Sequence, residues 1–226
     1  MSDPNNYTAF LDERHDVPGY VSPHDNNDYT LERIGKHNVA IAVLPCGEYE
    51  SASAAIVARD MLHSFPNIGI SLLVGIGGGA PSPKHEIRLS DVVVGVSSNG
   101  NGSIFQYDYG DTLQGQGQSF QKMIFLNKPP LILLSAVNGL MAEHEYEGKQ
   151  LAEAVGSVID GKKKLRKKFG RLEAASDRLY KSHFVHSLGE EEGCAIVCGD
   201  DPRNLTHQPE RTDEDDDPVI HYGLIA

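Results

Sequence analysis

Short apolar runs, rich in β-branched residues, alternate with segments of helical period along this chain. Four of the runs predict buried strands: Asn38–Leu44, Ile68–Val74, Asp91–Ser97 and Pro218–Ala226. Polar turn residues at Asn99–Gly102 predict that Ser103–Tyr107 is the returning strand of a hairpin. The pattern therefore predicts several short strands, most of them without an exposed polar face.

Two segments have the period of helices. In Glu48–Ser64, apolar residues recur at helical spacing, and Ser51 and Ser53 are candidate N-caps. Pro129 and Pro130 predict a second helical start, because proline is tolerated in a first turn; residues 131–155 then predict one or two helices. Strands that alternate with helices predict an α/β domain.

Residues 160–217 differ from the rest of the chain in charge. Asp160–Arg171 holds seven basic residues and one acid, whereas Gly189–Asp217 holds eleven acids and two arginines. Blocks of like charge repel themselves and bury little surface. We therefore expect residues 160–217 to be a flexible charged insertion. The basic run either docks an acidic partner or is a solvated linker, and the two runs could also neutralise each other.

The whole chain of 226 residues has a net charge of −12, which argues against a nucleic-acid partner. No apolar run approaches the roughly 20 residues that span a bilayer, so no membrane association is expected. Three cysteines fit a reducing compartment better than a disulfide scaffold. These observations predict a cytoplasmic globular protein.

A glycine-rich segment follows the predicted strand Ile68–Val74. Its sequence, Gly75-Ile76-Gly77-Gly78-Gly79-Ala80, formally matches a dinucleotide fingerprint, but Pro81 and Pro83 follow where a helix would have to begin. We reject the dinucleotide interpretation for that reason. Two alternatives remain open: a tight turn, or a backbone that approaches a phosphate or sugar closely and presents its N–H groups.

Four segments together resemble the nucleoside phosphorylase superfamily, and in particular its fungal branch, often found at the N-terminus of NOD-like receptor or ankyrin-repeat proteins. The strongest signals are GIGGG, IRLSDVVVG and VIHYGLIA, and the similarity covers residues 28–150 and 217–226. The segments that carry it are residues 44–95, 103–116, 126–137 and 217–226.

This resemblance implies a single domain over residues 1–226, incomplete at both ends. The implied fold is a three-layer α/β/α sandwich around a mixed, partly barrel-like central sheet. The implied reaction is cleavage of the N-glycosidic bond of a purine nucleoside or nucleotide, either by phosphate as co-substrate or by water. The resemblance implies no cofactor, and it implies homo-oligomers.

Site residues follow from the same resemblance. The substrate- and phosphate-binding segment of the family corresponds to Gly75, Gly77, Gly78 and Gly79. Leu73 and Ile76 stand where microbial purine phosphorylases have a phosphate-binding Arg and a Ser. That departure favours hydrolysis, or an anion site made of backbone amides and Arg88.

The catalytic carboxylates of the family have no counterpart in this sequence. The resemblance places them beyond Ala226 or in a segment missing after Thr8, so the chain is expected to be truncated and its turnover impaired. Asp91 matches a Gly-Asp-Val-Val pattern in which Ser90 replaces the usual Gly, and we interpret Asp91 as structural. The alternative function is a non-catalytic ligand-sensing or interaction domain of a NOD-like receptor type protein.

Cysteine and histidine spacing suggests one more kind of site. Cys194 and Cys198 could bind zinc together with His183, His186 or His207, but no second matched ligand pair accompanies them. The prediction from the sequence is therefore no metal site. His221 is interpreted as a packed histidine of the last strand rather than a pocket residue.

Overall fold

The computed structural model describes ten stretches of the chain, and it divides the whole chain into two compact units, Met1–Ile76 and Gly77–Ala226. The described stretches are residues 12–48, 51–79, 81–82, 85–96, 100–112, 120–147, 151–170, 176–186, 192–209 and 218–225.

The first unit contains a small antiparallel sheet of three strands. These are β1 (Glu13–Arg14), β2 (Tyr29–Ile34) and β3 (His37–Ala42), in that order across the sheet. A two-residue turn joins β2 to β3, and its Gly35 adopts a φ of 56°, which glycine tolerates without steric cost. The strand predicted at 38–44 is therefore confirmed over residues 38–42, although Asn38 is exposed and the other side chains are half-buried rather than buried.

Helix α1 (Ser51–Ser64) confirms the helical segment predicted at 48–64, of which residues 49 and 50 lie outside the described residues. Beyond its end, the Phe65 ring packs edge-on against Tyr29, with 4.8 Å between the ring centroids. The side-chain amide of Asn27 donates to the Val57 carbonyl of α1, at 3.0 Å. Tyr29 is the buried apolar side chain among the described residues, so the centre of this unit lies between β2 and α1.

A half-buried polar network surrounds Tyr29. The Asp25 carboxylate accepts hydrogen bonds from the hydroxyls of Tyr29 and Ser64 and from the Asn27 backbone N–H. Burial alone raises the pKa of Asp25, but these hydrogen bonds stabilise the charged carboxylate and leave its pKa below the ordinary value. Burial, together with the bond to Asp25, raises the pKa of Tyr29 to about 12. The network therefore keeps Tyr29 neutral and Asp25 charged near neutral pH.

The strand predicted at Ile68–Val74 is wrong. Residues 69–79 have no regular secondary structure, and Leu72, Leu73 and Val74 expose 75–80% of their surface. A strand forms when a neighbouring strand takes up its backbone hydrogen bonds, and none of the described strands pairs with this stretch. Its apolar composition was therefore a misleading signal.

The second unit pairs two strands that are distant in sequence. Strand β4 (Val92–Gly95) lies parallel to β7 (Ile220–Gly223), with Val93 opposite His221. Both strands were predicted from their apolar runs and are confirmed. Helix α2 (Leu131–Glu147) contacts β7 through His144, whose Nδ1 lies 3.2 Å from the Tyr222 hydroxyl.

The predicted hairpin between 91–97 and 103–107 is wrong in its pairing. The segment after β7 takes the intervening place: Ile225 N–H donates to Ser103 O at 2.9 Å, and Phe105 N–H donates to Ile225 O at 2.7 Å. Strand β5 (Phe105–Thr112) instead pairs with β6 (Phe120–Phe125). β4 and Ile104 both run parallel to the last strand, so the chain direction is the same before and after the predicted turn. The turn residues could not show which strand would pair with residues 103–105.

Two separate helices, α2 and α3 (Leu151–Asp160), occupy the region predicted to hold one or two. The Leu133 N–H donates to Pro130 O at 2.9 Å, consistent with a helix that starts after the two prolines. Two short helices lie inside the charged segment, α4 (Lys163–Phe169) and α5 (Cys194–Val197). None of the described helices is long and apolar enough to cross a membrane.

The protein is thus a mixed α/β chain, as the sequence predicts. Its described strands form three separate sheets of three, two and two strands. The three-layer sandwich, the partly barrel-like central sheet and the single domain over residues 1–226 stay predictions. The flexible insertion at 160–217 also stays a prediction, and parts of it lie outside the described residues.

Candidate functional site

The glycine segment is open over most of its length. A Cβ atom placed on Gly75, Gly77 or Gly78 would meet no other heavy atom within 4 Å. Gly79 is different, because a Cβ there would lie 2.7 Å from Cγ2 of Ile87. Of these four glycines, Gly79 alone is closely packed, and the other three leave their backbone accessible.

Arg88 lies next to Ile87, and its guanidinium is already bound. It pairs with Glu86 and with Asp177, the latter at 3.6 Å, and it donates to the carbonyl of Pro209. Only 9% of its side chain is exposed. An anion at Arg88 would have to compete with two carboxylates, so its role as an anion ligand stays a prediction.

Asp91 joins the turn before β4 to the last strand. Its side chain has no exposed surface, and Oδ1 accepts a hydrogen bond from Val219 N–H at 2.9 Å. Oδ2 accepts from Arg88 N–H at 2.8 Å and lies 2.9 Å from Nε2 of His221. The sequence interpretations of Asp91 as structural and of His221 as packed agree with these contacts. The His221 imidazole is 13% exposed, and its contact with Asp91 links the last strand to the turn before β4.

Ser90 lies in the turn immediately before Asp91. Its φ is 73°, in the left-handed region that favours glycine, and the Asp91 N–H donates to Arg88 O at 3.1 Å. This is the position at which the resemblance expected a glycine. The backbone therefore keeps the conformation that a glycine would adopt, while the sequence supplies a serine.

Three potential metal ligands meet within the charged segment. His186 Nδ1 lies 3.2 Å from Cys198 Sγ and 3.5 Å from Cys194 Sγ, and all three ligand atoms lie within 4.8 Å of one another. Burial raises the pKa of the Cys198 thiol, as does its hydrogen bond with Cys194. Of the histidines considered from the sequence, the structure brings His186 to the cysteines and leaves His183 and His207 outside the cluster.

Sequence reasoning missed two features of these sites. The one-turn spacing of Cys194 and Cys198 was visible, but no sequence signal selected His186 as their neighbour. Asp177, which pairs with Arg88, carried no signal at all, because the two residues are far apart in the chain. The expected catalytic carboxylates have no counterpart in this sequence, so the structure does not test that expectation. A cavity of about 310 Å³ lined by residues 14–17 and 29–31 contains none of the predicted site residues.

Comparison with known proteins identifies a similar protein. The chain is 41% identical over 151 residues to a nucleotide-binding leucine-rich repeat (NLR)-like protein of Hyaloscypha variabilis. The similar region covers 67% of this chain but only 15% of the length of that relative. No protein-family model and no solved structure matches the chain. The chain is thus similar to one part of a much longer NLR-like protein, consistent with the expected link to NOD-like receptors.

Proposed function

We propose that this chain is a ligand-recognition domain of an NLR-like protein, and that it binds a purine nucleoside or nucleotide with little turnover. The similarity to an NLR-like protein over two thirds of the chain carries the receptor part of this proposal. The resemblance of GIGGG, IRLSDVVVG and VIHYGLIA to nucleoside phosphorylases supports the ligand class.

The glycine segment is the proposed contact surface. Gly75, Gly77 and Gly78 have open space where side chains would stand, so their backbone can approach a ribose closely. Arg88 is matched by the two carboxylates of Glu86 and Asp177, which leaves no excess positive charge around it. This balance favours a neutral nucleoside over a nucleotide.

Cleavage of the N-glycosidic bond is the second candidate, and it too is supported by the family resemblance. Among the described residues near Ile87, Arg88 is bound to carboxylates, while Asp91 and His221 are bound to each other. Arg88, paired with carboxylates, is poorly placed to orient phosphate, and the Asp91 side chain has no exposed surface through which to reach a leaving base. We therefore expect binding to exceed turnover. Cytoplasmic location and self-association belong to the same proposal.

Calorimetric titration of the 226-residue chain with adenosine, inosine, guanosine and AMP tests the binding. Gly77→Val should abolish binding without altering stability, because the free protein has room for the side chain. Gly69→Val is the matched control, since it lies in the same irregular stretch and also has open space. Loss of binding in both variants, or in neither, would contradict the proposed surface.

Chromatographic assay of free base separates the two candidate functions. Incubation of each nucleoside with the chain, with and without phosphate, should release no base above the uncatalysed rate. Base release that depends on phosphate would establish phosphorolysis, and release independent of phosphate would establish hydrolysis. Either result would replace the recognition function with an enzymatic one.

A further inference from the structure

We propose that His186, Cys194 and Cys198 form a zinc site. The site is independent of the proposed nucleoside surface, because it lies in the charged segment rather than at the glycines. A zinc ion with sulfur at about 2.3 Å and nitrogen at about 2.0 Å in tetrahedral geometry separates the two ligand atoms by about 3.5 Å. The observed nitrogen–sulfur distances of 3.2 and 3.5 Å are close to that value.

The backbone fixes the two thiols on one side of a short helix. Cys194 begins α5, and the N–H of Cys198 donates to the Cys194 carbonyl at 2.9 Å, which closes one helical turn. Residues four apart lie on the same helix face, so both sulfur atoms point to one side. Gly199, with a φ of 67°, then turns the chain away. Thus the sequence Cys-x₃-Cys supplies two ligands at a fixed separation.

A second set of contacts brings the histidine to the thiols. The Tyr180 hydroxyl donates to Gly199 O at 2.7 Å, and its ring stacks on Phe184 with 5.6 Å between centroids. Tyr180 also forms an antiparallel bridge with Leu205. The Tyr180 hydroxyl also lies 3.3 Å from the Cys194 carbonyl, so Tyr180 contacts both ends of the helical turn that carries the cysteines, and His186 follows six residues later.

The local packing gives a reason for a metal cross-link. Val185 is 74% exposed and Ile196 is 72% exposed, so the apolar side chains beside the cluster contribute little burial. Small units without an adequate apolar core commonly depend on metal ions or disulfides. Two thiolates also balance the charge of a divalent cation. The three protein ligands leave a fourth position for water, the arrangement found in open zinc sites.

Titration of the reduced, chelator-treated 226-residue chain with Co²⁺ tests the site, since Co²⁺ reports thiolate ligation spectroscopically. We expect one Co²⁺ per chain, a thiolate-to-cobalt charge-transfer band and the visible bands of tetrahedral cobalt, all displaced by Zn²⁺. Cys194→Ser and Cys198→Ser should abolish the charge-transfer band or strongly reduce it. His186→Asn should weaken binding by about tenfold or more, because one of three ligands is lost.

Two variants serve as matched controls: Cys46→Ser removes the remaining cysteine, and His183→Asn removes a nearby histidine outside the cluster. Both should bind Co²⁺ like the unaltered chain. In the unaltered chain, Zn²⁺ should also protect Cys194 and Cys198, but not Cys46, from alkylation measured by peptide mass spectrometry. This readout requires no variant to fold.

Absence of the charge-transfer band, equal alkylation with and without Zn²⁺, or a Cys194–Cys198 disulfide that persists in reductant would each overturn the proposal. Loss of Co²⁺ binding in Cys46→Ser would also overturn it. None of these results depends on nucleoside binding, so this proposal and the proposed function fail separately.

Discussion

Ile68–Val74 and Pro218–Ile225 are two apolar runs with the same appearance in the sequence and different outcomes in the structure. The first has no regular structure and exposes most of Leu72, Leu73 and Val74. The second forms β7, with half-buried side chains. The comparison shows that an apolar run can form a strand, but that the strand forms only where a neighbouring strand takes up its backbone hydrogen bonds.

The partner of the second run is specified by both backbone and side chains. β4 supplies a parallel register from Val92 to Gly95, and Asp91 accepts hydrogen bonds from Val219 N–H at 2.9 Å and Arg88 N–H at 2.8 Å. None of the described strands pairs with residues 69–78. The difference between the two runs therefore lies outside the runs themselves.

Asp91→Ala is expected to have the largest effect, because it removes the side chain that anchors the second run. It leaves the N–H groups of Arg88 and Val219 and the His221 ring without their buried acceptor, which should cost about 3 kcal/mol or more. Urea unfolding should show the loss, and hydrogen exchange of residues 218–225 should become as fast as that of residues 69–79. The control is Asp160→Ala, whose carboxylate is exposed and lies 3.7 Å from Arg166. Unchanged exchange in 218–225 would show that Asp91 is not the anchor.

Gly102→Ala should have the next largest effect. A Cβ at this position would lie 1.7 Å from the Leu126 carbonyl oxygen, so the backbone beside Ser103 would have to move and disturb its bond to Ile225. We expect a loss of about 1–3 kcal/mol in unfolding free energy. Gly139→Ala in α2 is the opposite case, with open space, and should stabilise by up to about 1 kcal/mol. Equal effects of the two substitutions would refute the close approach at Gly102.

Ser90→Gly should stabilise the turn before β4, and with it the strand that pairs with the second run. A left-handed conformation costs a non-glycine residue about 1–2 kcal/mol, and the greater freedom of glycine in the unfolded chain returns part of that. The expected net gain is below about 1 kcal/mol, measured as a higher urea midpoint with an unchanged slope. Destabilisation by Ser90→Gly would mean that the Ser90 side chain has a role beyond occupying the turn.

Leu73→Ser should have the smallest effect. The side chain is 80% exposed, and surface substitutions usually change stability by less than about 0.5 kcal/mol. Val94→Ser in β4, which is half-buried, is the matched comparison and should cost more. A large loss in the Leu73 variant, seen in the urea midpoint, would indicate that residues 68–74 are packed in solution, as the sequence pattern predicts.

The periodic segments were predictable because their information is local. α1, α2 and α3 follow helical spacing and proline or serine signals, and β3, β4 and β7 follow short β-branched runs. The pairing was not predictable, because turn residues at 100–102 do not encode that Ile225 would lie beside Ser103. At the candidate sites, the contact of Asp177 with Arg88 and that of His186 with the cysteines were unpredictable for the same reason.

The sequence by itself determined that the segments of α1, α2 and α3 are helical, which segments are apolar, and that two cysteines are four residues apart. It also determined that a glycine-rich segment follows the predicted strand Ile68–Val74. Only the tertiary structure decided that Gly79 is packed and its neighbours are open, that Arg88 is neutralised, and that His186 meets Cys194 and Cys198. The physical reason is range: propensity and periodicity act within a few residues, whereas hydrogen-bond partners, ion pairs and ligand sets are chosen among residues that are far apart in the chain.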